Sequence, residues 1–159
     1  MKEENKINRI KTYIIAILIP LGIGALAAFL TRGNMEIYNT AAKPPLAPPG
    51  NLFPIVWTIL YVFMGVGSAL VYMAETENQQ ARSDALFAYG LQLAVNFLWS
   101  LVFFNLQAYW FAFVVLVILW ALVLWMLVKF SKVSKAAAVL QIPYLLWVTF
   151  AGYLNFMIA

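Results

Sequence analysis

The sequence predicts an all-α integral membrane protein, a bundle of five transmembrane helices in one domain covering 1–159. Three observations predict it. Of the 159 residues, 65% are hydrophobic and only 10% charged, whereas globular domains carry about a quarter charged residues, so this composition cannot build a water-facing surface. Uncharged runs close to the roughly 20 residues that cross a bilayer core about 30 Å thick recur five times. The basic residues, finally, lie between those runs rather than in a patch, which makes them topology signals and not a nucleic-acid footprint.

The first run, 13–30, follows Lys2, Lys6, Arg9 and Lys11 and contains Ala25-Leu26-Ala27, so a cleaved secretory signal is its alternative reading. It exceeds a typical signal core in length, holds Pro20 in mid-run and precedes four further spans, and is read as a retained helix. A connection over 31–51, rich in Pro44, Pro45, Pro48 and Pro49, leads into the second run, 52–74, where Pro-Pro-Gly-Asn supplies a fixed backbone and an N-terminal cap. A connection this long is either a lid over a cavity in the bundle or a rigid tether. The third and fourth runs, 85–104 and 109–128, are joined only by Asn105-Leu106-Gln107-Ala108 and must be antiparallel neighbours. In the fifth run, 136–159, Pro143 removes an intrahelical hydrogen bond and bends the helix.

Eight of the ten Lys and Arg residues (the four N-terminal ones, Arg82, Lys129, Lys132 and Lys135) fall on one side of this topology, against Arg32 and Lys43 on the other. The bias places the N-terminus in the cytoplasm and the C-terminus outside, in a bacterial cell membrane.

With no Cys and no His, disulfides, zinc and iron–sulfur sites, thiolate nucleophiles and imidazole acid–base chemistry are excluded, and a haem would lack its usual axial ligands. No metal site and no cofactor are expected. No Asp, Glu, Lys or Arg falls inside a span, which disfavours ion-coupled transport and hydrolysis. What the interior offers is aromatic surface and uncharged polar groups. Phe53, Trp57 and Tyr61 recur every four residues with Met64 and Ser68 continuing the stripe; Asn96, Trp99, Ser100 and Phe103 share a face of the third helix; Tyr144, Trp147, Ala151 and Asn155 share one on the fifth.

Such stripes serve bundle packing or a lipid-facing belt as readily as a ligand site, and Trp110, Trp120 and Trp125 read as belt or packing residues. Trp57, Trp99 and Trp147 differ in sharing their faces with small or polar residues. Asn96 and Asn155 need partners in hydrocarbon, supplied either by neighbouring helices or by a ligand. Gly22 and Gly24, like Gly65 and Gly67, suit close helix approach within the bundle or at a dimer interface.

At these residues the chain resembles the TspO/MBR family of tryptophan-rich sensory proteins. The resemblance lies in Tyr38…Lys43-Pro44…Pro48-Pro49 with Val56-Trp57-Thr58-Ile59-Leu60-Tyr61…Met64-Gly65, in Gln92-Leu93…Asn96…Trp99-Ser100…Phe103-Phe104, and in Pro143-Tyr144…Trp147…Phe150-Ala151…Leu154-Asn155. It covers the first helix onward and leaves 1–11 outside. It implies a commonly dimeric five-helix bundle with a pocket open toward the first loop, binding tetrapyrroles such as protoporphyrin IX, synthetic benzodiazepine-site ligands and, in animals, cholesterol. Carried over by position, the ligand-binding residues are Tyr38, Pro48, Trp57, Tyr61, Asn96, Trp99, Trp147 and Ala151. The chain departs from the family in reading Pro45-Leu46 where many members have a tryptophan before the Pro-Pro pair. Its end, Leu154-Asn155-Phe156-Met157-Ile158-Ala159, also lacks the basic residue of the animal cholesterol motif.

The leading expectation is a membrane receptor or sensor of porphyrins and other flat hydrophobic molecules, able to sequester or transport them, with a homodimeric state and no nucleic-acid partner. One alternative, also implied by the resemblance, is light- or oxygen-dependent degradation of bound protoporphyrin with Trp57 and Trp147 as redox partners. Another is a structural role, with the aromatic faces buried against a second membrane protein.

Overall fold

The charged N-terminal stretch is rich in helix-forming residues and carries Glu3 and Glu4 in its first turn, where they complement the helix dipole. In the computed structural model, which describes residues 2–34 and 52–159, α1 therefore begins well before the apolar run and extends over Lys2–Thr31. It is followed by a short 3₁₀ turn, Arg32–Asn34. The remaining helices are α2 (Leu52–Met73), α3 (Gln79–Ser100, continuing as a π-helical turn Leu101–Asn105), α4 (Tyr109–Ser131), α5 (Lys135–Leu140) and α6 (Ile142–Ile158). Five segments are long and apolar enough to cross a membrane, the fifth being α5 and α6 together, Lys135–Ile158. The protein is thus an all-α, multi-pass integral membrane bundle.

Helix ends follow local chemistry. α3 starts at Gln79, ahead of its apolar run, because the Asn78 side chain accepts a 3.0 Å hydrogen bond from the Ala81 N–H. Ser134 caps α5 in the same way through the Ala137 N–H at 3.2 Å. The fifth span breaks at Gln141, one residue before the turn that contains Pro143, where the missing N–H ends the hydrogen-bond ladder. The α3–α4 reversal uses a positive φ of 53° at Gln107.

Around the bundle α1 packs on α2, α2 on α5, the fifth span on α4 and α4 on α3, with α3 reaching back to α1 and α2. Small residues set the spacing. A side chain at Gly65 would strike the backbone of Ile17 on α1, and one at Gly67 the amide of Gln141, which donates to the Phe63 carbonyl at 3.0 Å. Gly22 meets nothing within 4 Å, so of the first glycine pair only Gly24 is in a close contact. Met64, Val71, Ala85, Val123, Met126, Phe130 and Ala137 are fully buried, and the buried polar residues among those described (Thr31, Ser68, Gln92, Asn96, Gln141 and Asn155) are all uncharged. Trp110 and Trp120 face outward, and the Trp120 indole donates to Thr149 Oγ1 at 2.9 Å.

Candidate ligand cavity

A cavity of about 650 Å³ opens at the end of the bundle where α1 stops and α2 begins. Its walls come from four spans. Phe53, Trp57 and Tyr61 stand on one face of α2, at the four-residue spacing that stacks them. Trp57 stacks on Tyr61 at 5.7 Å between centroids and meets Tyr144 edge-on at 6.2 Å. Trp99, Ser100, Phe103 and Phe104 come from the end of α3 and its π turn, and Ala151, Leu154, Asn155 and Ile158 from α6. The opposite wall is α1, where Gly24, Ala27, Ala28 and Thr31 line up along one face.

Hydrogen bonds hold the rings in place. The Trp99 indole N–H donates to Asn155 Oδ1 at 3.0 Å, and Asn155 in turn donates to the Tyr109 carbonyl at 3.0 Å, so three spans share one anchored ring. Asn96 stands behind the wall: the Tyr61 hydroxyl donates to its Oδ1 at 3.4 Å, while its Nδ2 donates to the Tyr144 hydroxyl at 2.7 Å, which donates on to Gln92 Oε1 at 2.7 Å. A buried asparagine placed this way meets the demand for internal partners in hydrocarbon. At the mouth, Asn105 donates to the Leu30 carbonyl at 3.1 Å and accepts from Asn34 Nδ2 at 2.9 Å, clamping the end of α1 to the π turn. That turn closes with a Leu106 N–H bond to the Leu101 carbonyl at 3.1 Å, one residue wider than an α turn, a feature often found at functional sites.

The expected residues therefore divide. Trp57, Tyr61, Trp99 and Ala151 line the cavity together. Asn96 supports it from behind. Trp147 lies at the seam between α2 and α6, its ring 5.6 Å edge-on from Phe53 and 5.7 Å from Phe150, with its indole N–H buried and without a partner among the described residues. Tyr38 and Pro48, with the rest of the expected lid over 35–51, lie outside the described residues. The α1 wall was not anticipated, although its small residues at 24, 27, 28 and 31 have the three- and four-residue spacing of a helix face.

Chemically the cavity offers ring faces and edges, hydroxyls of Thr58, Tyr61 and Ser100 and the side chain of Asn155. Among the described residues, none in the lining carries a carboxylate, amine, imidazole or thiol. It can hold an apolar ligand by contact and orient it by a few hydrogen bonds.

Comparison with known proteins agrees with this architecture. The profile of the TspO/MBR family matches residues 16–159. The tryptophan-rich protein TspO of Chlorobaculum tepidum is 36% identical over 94% of this chain and 95% of its own. Protein CrtK of Rhodobacter capsulatus is 37% identical over 85% and 82% of the two chains, and the translocator protein of Bos taurus 34% over 87% and 83%. With five membrane-spanning segments and a profile match from the first of them to the last residue, this chain is a member of the TspO/MBR family.

Proposed function

We propose that this protein is a membrane sensor or translocator whose cavity takes up porphyrins, protoporphyrin IX among them, and other flat hydrophobic molecules. One observation carries the reading: an aromatic-walled space of about 650 Å³, lined among the described residues without any charged side chain, at the end of the bundle. That volume lies within the usual range of small-molecule sites, about 300–1,000 Å³. A planar ligand would lie against Trp57 and Trp99 and turn a donor N–H or O–H toward the hydroxyl oxygen of Tyr61 or Thr58, whose own protons go to Asn96 and to the Pro54 carbonyl. The sensory and translocator names of the relatives fit a site of this kind. In this reading the protein resides as a homodimer in a bacterial cell membrane, with the N-terminus cytoplasmic because eight of ten basic residues lie on that side.

The test is a titration of protoporphyrin IX into detergent-purified protein, followed by quenching of tryptophan fluorescence in the dark and then under light. Saturable quenching is expected in both. Non-saturable quenching would mean partition into detergent and would overturn the reading. New absorbance bands under light that are lost in Trp147→Phe would instead favour porphyrin degradation through that indole.

A further inference from the structure

We propose that the bilayer-facing groove between α2 and the fifth span is a lateral portal, through which flat hydrophobic molecules dissolved in the membrane enter the cavity. The proposal rests on the ligand-binding reading above. The groove encloses about 420 Å³ and is lined by Val56, Ile59, Leu60, Leu146, Trp147 and Phe150. Its rim is apolar and outward-facing, Ile59 being 48% and Leu146 65% exposed. A molecule arriving from the acyl chains therefore meets no polar barrier there.

What separates groove from cavity is aromatic side chain more than packed backbone. α2 packs against α5, but the span breaks at Gln141, and beyond the break the backbone of α6 approaches α2 far less than that of α5 does. The seam is bridged there by rings: Phe53, which lines the cavity, lies edge-on to Trp147, which lines the groove, at 5.6 Å.

Trp99 in the cavity wall and Trp147 at the seam are held differently. Trp99 is fixed by its bond to Asn155. The Trp147 N–H is buried and has no partner among the described residues, so rotating this ring breaks no hydrogen bond to them, and a buried donor left unpaired gains by finding an acceptor. Trp147 is the element of the wall best suited to swing, and a passing ligand with a carbonyl or ring-nitrogen acceptor would satisfy it in transit.

The experiment uses the full chain in phosphatidylcholine vesicles, with protoporphyrin IX delivered from the bilayer and stopped-flow quenching of tryptophan fluorescence as readout. Ile59→Phe and Leu146→Phe each fill the groove from positions outside the cavity lining, and their exposure to lipid keeps the fold intact, which circular dichroism checks. A portal predicts that association and dissociation both slow by about fivefold or more in at least one variant while Kd stays within about twofold, since a barrier acts on both directions. Unchanged rates in both folded variants would overturn it, placing entry elsewhere. A weakened Kd with unchanged association would also overturn it, by making the groove part of the binding wall. Absence of saturable binding in the wild type would remove the cavity reading itself and the portal with it.

Discussion

The two ends of the bundle are built from the same five spans and packed in opposite ways. Toward the connections near residues 74–78 and 132–134, glycine and alanine bring backbones together: Gly65 admits the α1 backbone, Gly67 admits Gln141, and Phe130 and Met126 fill the remaining space with no exposure. Toward the other end the contacts are made by large rings, Trp57 on Tyr61, Trp99 on Phe103 and Phe53 on Trp147, and a cavity remains between them. Helix association in lipid depends on close packing and interhelical hydrogen bonds rather than on expulsion of water. Small residues therefore close one end, while rings held by asparagines keep the other open.

That contrast is open to mutation. The largest effect is expected at the closed end, where Phe130→Ala should cost about 3–5 kcal/mol of stability through the cavity it leaves. Denaturant unfolding in micelles measures it, with porphyrin affinity of the folded fraction unchanged; a negligible cost would mean that this end is not the stable core. Next, Gly65→Val should cost about 1–3 kcal/mol by forcing α1 off α2, read from the same unfolding curves. Gly24→Ala tests the boundary between the two ends. The added methyl collides with the Tyr61 ring, so displacing that ring off its rotamer should weaken binding by about 0.5–1.5 kcal/mol, seen as a raised Kd at nearly constant Tm. Of similar size is Asn155→Leu, which releases both the Trp99 N–H and the Tyr109 carbonyl at a cost of about 0.6 kcal/mol each, the mean for interhelical hydrogen bonds in membranes. Its thermal unfolding and the tryptophan emission maximum should both shift slightly, and an unshifted emission would show that the bond does not position the ring.

Much of this architecture was legible in the sequence. The five spans followed from uncharged length, and the α2 stripe of Phe53, Trp57 and Tyr61 from four-residue spacing, because helix periodicity alone decides which residues share a face. What periodicity cannot decide is which way a face turns within the bundle. Asn96 and Trp99 share a face of α3, yet the asparagine is consumed by Tyr61 and Tyr144 while the tryptophan lines the cavity. Trp147 and Ala151 share one on α6, yet one turn of helix separates Trp147 at the seam with α2 from Ala151 on the cavity wall. The α1 wall escaped notice because residues such as Gly24 and Ala28 bear no chemistry of their own and matter only for the space they leave. The extension of α1 to Lys2 was missed for a different reason: membrane crossing ends where charge begins, whereas helix formation does not.

The central claim, that the open end is a ligand site and not loosely packed membrane protein, is tested most directly by titrating protoporphyrin IX into Trp57→Ala and Trp110→Ala side by side. Trp57 lines the cavity and Trp110 is 60% exposed on the outer surface. Loss of one large stacking contact should weaken binding to Trp57→Ala by about 1–3 kcal/mol, with Trp110→Ala matching the wild type. Equal affinities in the two variants, or a loss confined to Trp110→Ala, would contradict the account.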